Sequence, residues 1–206
     1  MLQFEQKLWD NHIQHIAGID EVGRGCLFGD VIAAAVILPE GLIIDGINDS
    51  KKLSEKKRDL LYDIIRQHAL SIGLGIVDCL TVDRINIKQA ARLAMKQALE
   101  QLTIQPDYLL VDAEKVDSLI PQQAIIHGDA LSQSIAAASI IAKVTRDRMC
   151  LEWDKQYPFY GIAIHKGYAT KLHRERILEL GPSPMHRLTF LKKLFHVQQE
   201  LFDIES

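Results

Sequence analysis

Two apolar runs dominate the amino-terminal part of the chain, one over residues 16–21 and one over residues 31–38, and a glycine-rich turn joins them. Short apolar runs bounded by glycine or proline predict buried strands. The first run ends in two adjacent carboxylates, Asp20 and Glu21, and the turn opens with Gly-Arg-Gly at 23–25. Carboxylates are hard oxygen ligands suited to Mg²⁺ or Mn²⁺, and glycine lets backbone amides approach a ligand closely. We therefore predict a metal site that lies beside a phosphate backbone.

The rest of the chain alternates between strand and helix patterns, which is typical of the α/β class. Ser54 is a predicted N-cap, because apolar positions recur at helical spacing after it. Further strands are predicted over residues 70–77, 108–111 and 124–126, and helices over 54–69, 81–102, 131–155, 169–180 and 188–201. The small residues of the 131–155 helix should let it lie close to the sheet. Glycine and proline at 181–184 predict a stop between the last two helices.

Length and composition predict a single domain, because 206 residues with 48% hydrophobic content can bury a sizeable core. Residues 159–206 are expected to form a basic helical extension of that domain. The three cysteines lack CxxC spacing, which argues against a disulfide framework and a zinc site. The apolar runs are shorter than the ~20 residues of a membrane-spanning helix, and no signal-peptide pattern opens the chain. A cytoplasmic protein without membrane contact is expected, with a monomer as the default.

Charge is unevenly distributed along the chain. The formal net charge of −3 by itself argues against a protein that binds a polyanion. Residues 140–195 nevertheless hold eleven Lys and Arg against five Asp and Glu, so the acidic remainder is joined to a basic carboxy-terminal segment. Such a division suits a metal-dependent enzyme that acts on nucleic acid. Ordinary solvated helix faces would give the same counts.

Four acids stand where predicted strands end, namely Asp20, Glu21, Asp112 and Asp129. If the strands adjoin in one sheet, these carboxylates converge, and two divalent ions about 3.5–4 Å apart would then serve a phosphoryl displacement. Without metal, such a cluster would repel itself and raise some of the pKa values. Alternatively, Asp112 and Asp129 are solvated turn residues or helix caps. A dinucleotide-binding turn over 23–29 is disfavoured, because a strand pattern follows it and not a helix.

Several longer motifs in a fixed order make the chain resemble the ribonuclease HII family, the type 2 ribonucleases H, over about residues 16–190. The motifs are DEVGRG at 20–25, VIAAAVILP at 31–39, DSKKL at 49–53, GDA at 128–130, SIAAASIIAKVTRD at 134–147, HKGY at 165–168 and GPSPMHR at 181–187. The resemblance implies a ribonuclease H-like mixed β-sheet flanked by helices, with a small C-terminal helical extension.

The same resemblance implies an endonuclease that hydrolyses the RNA strand of RNA/DNA hybrids. It also implies incision 5′ to single ribonucleotides embedded in duplex DNA, leaving 3′-hydroxyl and 5′-phosphate ends. The catalytic and metal-binding acids implied by the family are Asp20, Glu21, Asp112 and Asp129, which would hold two Mg²⁺ or Mn²⁺ ions. A replication or repair partner is compatible with this role, but the sequence does not specify one.

Recognition of the ribose is implied for four further residues. Gly23, Arg24 and Gly25 match the family's loop that senses the 2′-hydroxyl group, and Tyr168 matches the tyrosine that packs on the sugar of the following deoxynucleotide. The chemistry agrees, because only the 2′-hydroxyl distinguishes RNA from DNA at one nucleotide.

Basic residues complete the predicted substrate site. Lys51 and Lys52 are interpreted as phosphate contacts, since an ammonium group is a point charge suited to the backbone, although a solvated pair ahead of a helix is the alternative. Lys143 and Arg146 lie one helical turn apart and are predicted to face the duplex. Lys143 with Asp147 is also an ordinary i,i+4 ion pair.

Two stretches depart from the family pattern. Residues 26–30 (CLFGD) stand where a proline and smaller residues are usual, and Ala113 and Glu114 follow Asp112 where a glycine and an asparagine are common. Two alternatives were weighed against the ribonuclease HII assignment. A type 3 ribonuclease H is disfavoured because only about fifteen residues precede the first motif, and a non-catalytic nucleic-acid-binding module is suggested by the basic segment. Dependence of activity on a divalent metal ion would distinguish the enzyme from the non-catalytic binding module.

Overall fold

A five-stranded mixed sheet with helices on both faces forms the body of the protein, which a computed structural model describes over residues 1–195. The strands are β1 (Ile16–Val22), β2 (Val31–Ile37), β3 (Ser71–Val77), β4 (Tyr108–Asp112) and β5 (Gln122–Ile125). The helices are α1 (Gln3–Trp9), α2 (Glu55–His68), α3 (Cys79–Ile85), α4 (Ile87–Glu100), α5 (Gly128–Leu131), α6 (Gln133–Gln156), α7 (Ile162–His165) and α8 (Lys171–Leu180). These elements confirm the predicted α/β class and the mixed sheet.

The order of the strands, β3-β2-β1-β4-β5, places β1 at the centre of the sheet. β1 pairs with β2 in antiparallel fashion and with β4 in parallel, and β4 pairs with β5 in parallel. Parallel strands end at the same edge of a sheet, so the carboxyl ends of β1, β4 and β5 lie together. That edge carries the acids discussed below.

Helix α6 covers one face of the sheet and α4 covers the other, and both lie close to the strands because small residues line the contacts. A Cβ atom at Gly18 of β1 would overlap the backbone of Ser134 in α6, and one at Gly75 of β3 would overlap the carbonyl of Ala94 in α4. The alanines of α6 at 136–138 are fully buried. The expectation that small residues let this helix approach the sheet is confirmed.

Capping residues set the helix boundaries, and they correct two predictions. The region predicted as one helix over 81–102 is broken at Asn86, whose φ of 67° leaves the helical range while its side chain accepts hydrogen bonds from Lys88 and Gln89. The helix predicted over 131–155 begins only after Ser132, whose hydroxyl caps it, so Leu131 belongs to the short α5. Ser54 caps α2 as predicted.

The segment after residue 158 packs onto the β1–β2 turn. Phe28 in the turn is fully buried and meets Trp153, Tyr157 and His186 edge to face. Gly181, with a φ of 76°, ends α8 at the predicted stop. The last predicted helix is observed over 188–195, and its predicted end at 201 lies outside the described residues. Across residues 1–195, no helix combines the length and apolar character that crossing a bilayer requires.

Candidate active site

Asp20 and Asp112 stand at the ends of adjacent parallel strands. The register pairs Ile19 of β1 with Val111 of β4, so the next residue of each strand is an aspartate. Asp20 is 5% exposed and accepts a hydrogen bond of 2.7 Å from the amide of Glu21, while Asp112 accepts one of 2.7 Å from the amide of Gly128. Backbone amides therefore orient both carboxyl groups.

Glu21 and Asp129 complete the acidic group. Strand geometry turns Glu21 to the opposite face from Asp20, and one of its carboxylate oxygens, Oε2, is buried with no hydrogen-bond partner in residues 1–195. Asp129 follows Gly128 in α5 and is 4% exposed. The four predicted acids thus lie near the carboxyl edge of the sheet, where the charge of Asp112 acts on the other three.

Burial and mutual repulsion raise pKa values in this group. Burial, followed by the charges of Glu21 and Asp112, raises the pKa of Asp20 well above its usual range. Burial also raises the pKa of Glu21, although Arg24 opposes the effect, and burial together with Asp49 raises that of Asp129. A cation at this edge would offset the repulsion.

The donor set suits a hard divalent cation, because it consists of carboxylates and includes the unpartnered Oε2 of Glu21. Within residues 1–195, however, no three acidic, histidine or cysteine side chains are already gathered at ligand distances. Two of the acids are instead paired with basic side chains. Arg24 donates a 2.9 Å hydrogen bond to Glu21 Oε1, and Lys51 Nζ lies 3.5 Å from Asp129 Oδ2.

Glu114, one of the departures from the family pattern, belongs to this charge network. Its Oε2 accepts hydrogen bonds of 3.1 and 2.9 Å from Arg92 of α4, and its Oε1 lies 3.9 Å from the guanidinium of Arg24. Arg24 therefore lies between two carboxylates, those of Glu21 and Glu114. The sequence drew attention to Glu114 but gave no sign of Arg92, which is distant in the chain.

The Gly-Arg-Gly turn presents its amides outward. Gly23 has a φ of 93°, a conformation that other residues rarely adopt, and Gly25 is exposed with open space around it. In the described part of the chain, the amides of Arg24 and Gly25 have no hydrogen-bond acceptor. Tyr168 is 39% exposed and lies beside this turn, because it forms an isolated β-bridge with Cys26. The predicted sensor residues are thus neighbours in space.

The predicted basic contacts differ in their surroundings. Lys51 and Lys52 are exposed and lie close to the acids in a 3-10 turn capped by Asp49. Lys143 is mostly buried, donates a 2.7 Å hydrogen bond to Asp147, and places its ammonium 6.0 Å from the centre of the Tyr168 ring.

Arg146 requires a correction. It is fully buried, and its guanidinium donates to the carbonyl oxygens of Phe28, Asp30 and Lys166 at 2.9, 3.1 and 2.7 Å. No part of it is exposed to contact a duplex, so the predicted role in substrate binding does not fit. Helical spacing placed Arg146 beside Lys143 but carried no information on how deeply Arg146 is buried.

Sequence reasoning also missed the role of Arg187. The residue was noted only as part of a motif, yet its guanidinium lies fully buried beneath the Gly-Arg-Gly turn and donates to four of the turn's carbonyls. His165, His173 and His186 are buried nearby, with 3.1 Å between Nε2 of His173 and Nε2 of His186.

Comparison with known proteins now adds to this geometry. A sequence profile described as Ribonuclease HII matches residues 17–193. The chain belongs to the ribonuclease HII family. Ribonuclease HII of Alkaliphilus metalliredigens (strain QYMF) is 58% identical over 199 residues, which cover 94% of this chain and 98% of that relative.

Solved structures of the family share the fold. The ribonuclease H2 of Pyrococcus horikoshii OT3 is 25% identical with a TM-score of 0.74, covering 87% of this chain and 96% of that chain. The ribonuclease HII of Archaeoglobus fulgidus, solved in complex with PCNA, is 25% identical with a TM-score of 0.70, covering 84% and 94%. The sheet described above is therefore the ribonuclease H-like fold.

Membership of the ribonuclease HII family decides between the alternatives. The chain is a nuclease of a family that cleaves RNA in RNA/DNA hybrids, and dependence on divalent metal ions is typical of that family. The non-catalytic binding module is thereby excluded. The sequence match to the type 2 family also decides against the type 3 alternative.

Proposed function

We propose that this ribonuclease incises duplex DNA on the 5′ side of a single ribonucleotide, in addition to cutting the RNA strand of hybrids, and leaves 3′-hydroxyl and 5′-phosphate ends. The observation that carries the proposal is the pair of outward-facing amides at Arg24 and Gly25, which adjoin the acids that end β1. A ribose 2′-hydroxyl oxygen accepts a hydrogen bond that a deoxyribose cannot. Donors fixed beside the acids therefore select one ribonucleotide in a DNA strand.

Asp20, Glu21, Asp112 and Asp129 are the residues that we assign to hold two divalent ions, Mg²⁺ or Mn²⁺. When bound, such ions supply an activated water and stabilise the charge on the leaving oxygen of a phosphoryl displacement. The carboxylates act as ligands and not as nucleophiles. The amides of Glu21 and Gly128 fix Asp20 and Asp112 in advance, so that little ordering is left to occur when substrate binds.

Tyr168 is assigned to the sugar that follows the ribonucleotide. Its half-exposed ring adjoins the turn through the Cys26 bridge, and Lys143 lies 6.0 Å from the ring centre. A ring that packs on one sugar while the amides of the turn hold the neighbouring 2′-hydroxyl would set the register of the strand. The scissile phosphate would then lie against the acids.

Exposed cations are assigned to the phosphate backbone. Lys51 lies within 3.5 Å of Asp129 and is therefore close to the place of cutting, and Lys52 is next to it. The segment after residue 158 adds exposed cations at Lys171, Arg174, Lys192 and Lys193. These charges would bind duplexes irrespective of sequence, with an affinity that falls as salt is raised.

The test is incision of an end-labelled DNA duplex that contains one ribonucleotide, with Mg²⁺, with Mn²⁺ and with chelator, beside the same duplex made entirely of DNA. We expect metal-dependent cutting on the 5′ side of the ribonucleotide and none in the all-DNA duplex. Asp112→Asn is the matched control, since an amide oxygen still accepts the hydrogen bond from Gly128. Absence of cutting with both metals, while an RNA/DNA hybrid is cut, would restrict the activity to hybrids and refute the proposal.

A further inference from the structure

The guanidinium of Arg187 directs all of its hydrogen bonds into the turn that carries the outward-facing amides. Nη1 donates to the carbonyls of Gly23, Arg24 and Cys26 at 2.7, 3.2 and 2.9 Å, and Nε and Nη2 both donate to that of Gly29 at 2.9 and 2.7 Å. Among the described residues, no carboxylate is hydrogen-bonded to this guanidinium. The hydrogen bonds of this buried cation all go to carbonyl dipoles, and the Phe190 ring centre lies 5.5 Å from the guanidinium carbon.

Peptide geometry links these carbonyls to the free amides. In a trans peptide the C=O and N–H bonds point in opposite directions. The carbonyl of Gly23 belongs to the same peptide as the amide of Arg24, and the carbonyl of Arg24 to the same peptide as the amide of Gly25. Because Arg187 holds both carbonyls inward, both amides must point outward. Neither of these two amides has an acceptor in the described part of the chain.

The backbone around Arg187 holds the guanidinium in place. The amide of Arg187 donates to the carbonyl of Leu27 at 2.8 Å, and the amide of Gly29 donates to the carbonyl of Met185 at 2.9 Å. Phe28 and His186 form a β-bridge between these bonds. The turn and the segment at 185–187 therefore form one unit, and the orientation of the turn depends on a residue far along the chain.

We propose that Arg187 is a positioning residue for recognition of the ribose, because it sets the direction of the Arg24 and Gly25 amides without touching the substrate. The inference rests on the proposed function of these amides. A planar guanidinium carries five donors in a fixed fork, whereas an ammonium carries three on a flexible stem. Lysine at this position keeps the positive charge but cannot donate hydrogen bonds to all four carbonyls at once.

The variant that tests the inference is Arg187→Lys, assayed for kcat and KM on the single-ribonucleotide duplex and for binding to the all-DNA duplex. Misdirected amides should lower kcat by about 100-fold, the lower end of the range for loss of one preorganised donor. Binding of the all-DNA duplex should stay within about twofold, because the exposed lysines that contact phosphates are unchanged.

Leu61→Ala is the control for an effect of lost stability alone. It removes a fully buried side chain from the contact between α2 and α6, away from the turn. Both variants are assayed below their melting temperatures. A fall in kcat for Arg187→Lys, with Leu61→Ala near wild type at a comparable loss of melting temperature, supports positioning. Equal kcat values in the two variants overturn it. If the wild type itself does not incise the ribonucleotide duplex, the proposed function is wrong and the inference fails with it.

A second measurement needs no variant and covers the case in which Arg187→Lys does not fold. The ¹H–¹⁵N resonances of Arg24 and Gly25 are followed in chelator while the single-ribonucleotide duplex or the all-DNA duplex is added to the wild-type protein. We expect both amides to shift more with the ribonucleotide duplex. Identical shifts with the two duplexes would show that the orientation set by Arg187 has no part in recognition, which would overturn the inference.

Discussion

The guanidinium of Arg24 donates a 2.9 Å hydrogen bond to Oε1 of Glu21, so a side chain of the Gly-Arg-Gly turn is bound to one of the acids assigned to metal. Glu114 lies on the other side of the same guanidinium at 3.9 Å and is itself held by Arg92. A cation that approaches Glu21 must therefore compete with Arg24. Glu114 gives Arg24 a second carboxylate to bind.

Glu114→Gln should raise the Mg²⁺ concentration that gives half-maximal incision, by about two- to fivefold, because Arg24 then interacts with Glu21 alone and a nearby negative charge is lost. The measurement is a Mg²⁺ titration of the incision rate at fixed ionic strength. Asp117→Asn is the matched control, since Asp117 is an exposed acid after the same strand, paired with Lys96. Unchanged titrations for Glu114→Gln would show that Glu114 does not regulate access to Glu21.

Asp20→Asn should abolish turnover and yet raise the melting temperature in the absence of metal. Burial and the charges of Glu21 and Asp112 raise the folded-state pKa of Asp20 above its unfolded value. At a pH above both values the ionised carboxyl therefore costs folding free energy, and that cost is lost as pH falls from the folded-state pKa to the unfolded-state pKa. An amide removes the cost and still accepts the hydrogen bond from Glu21.

The expected gain for Asp20→Asn is about 2–4 °C for each kcal/mol of repulsion relieved. Differential scanning calorimetry in chelator measures it, and added Mg²⁺ should stabilise the wild type more than the variant. A lower melting temperature in chelator would show that Asp20 is a structural acid. Binding of an RNA/DNA hybrid should survive in the variant.

Tyr168→Ala should slow incision at a single ribonucleotide by about tenfold while it weakens duplex binding much less, because the ring positions one sugar and contributes little to the total affinity. Single-turnover rates and fluorescence anisotropy separate the two effects. Tyr157→Ala is not a suitable control, since that ring packs on Phe28. Phe159→Ala serves instead, because its ring is 73% exposed. Equal rates for wild type and Tyr168→Ala would remove the role assigned to the ring.

Acid should destabilise the protein through two buried histidines. Burial lowers the pKa of His173 to about 4 and that of His186 to about 3, from an ordinary value of about 6.5. The unfolded chain therefore binds more protons than the folded protein between about pH 6.5 and 4, and stability falls as pH falls through this window. Each histidine contributes up to ~1.4 kcal/mol per pH unit.

His186→Gln should reduce the slope of melting temperature against pH in that window, whatever its effect on the melting temperature at pH 8. The exposed His12 supplies the control variant, His12→Gln, which should keep the wild-type slope. A slope that is the same in all three proteins would place the origin of the acid sensitivity elsewhere.

Much of the architecture could be predicted because its signals are local. The strands that carry Asp20 and Asp112 are continuous apolar runs, Ser54 is a recognisable cap, and Gly181 marks the end of α8. The break at Asn86 was missed, because apolar periodicity continues through it and only the positive φ interrupts the helix. Helix α1 was also missed, since it is fixed by a distant contact in which Glu5 accepts hydrogen bonds from Ser132 and Ser134.

The two buried arginines show where sequence reasoning ends. Arg146 was predicted to face the duplex and is buried, and Arg187 was given no role and supports the sensor turn. Both lie in a segment rich in Lys and Arg, most of which are exposed. Residue type and spacing cannot separate a cation that binds phosphate from one that binds carbonyls, because the two differ in how deeply the side chain is buried. That burial results from packing between segments more than 100 residues apart in the chain.

The sequence by itself determined the class of fold and the family, and it predicted the four carboxylates, because apolar periodicity and motif order are properties of neighbouring residues. Tertiary structure alone decided which groups meet those carboxylates. It placed Arg24 between Glu21 and Glu114, brought Tyr168 beside Cys26, and buried Arg187 under Gly23. Most of these contacts join distant segments, and the energies of all of them depend on burial and direction, which exist only once the chain has folded.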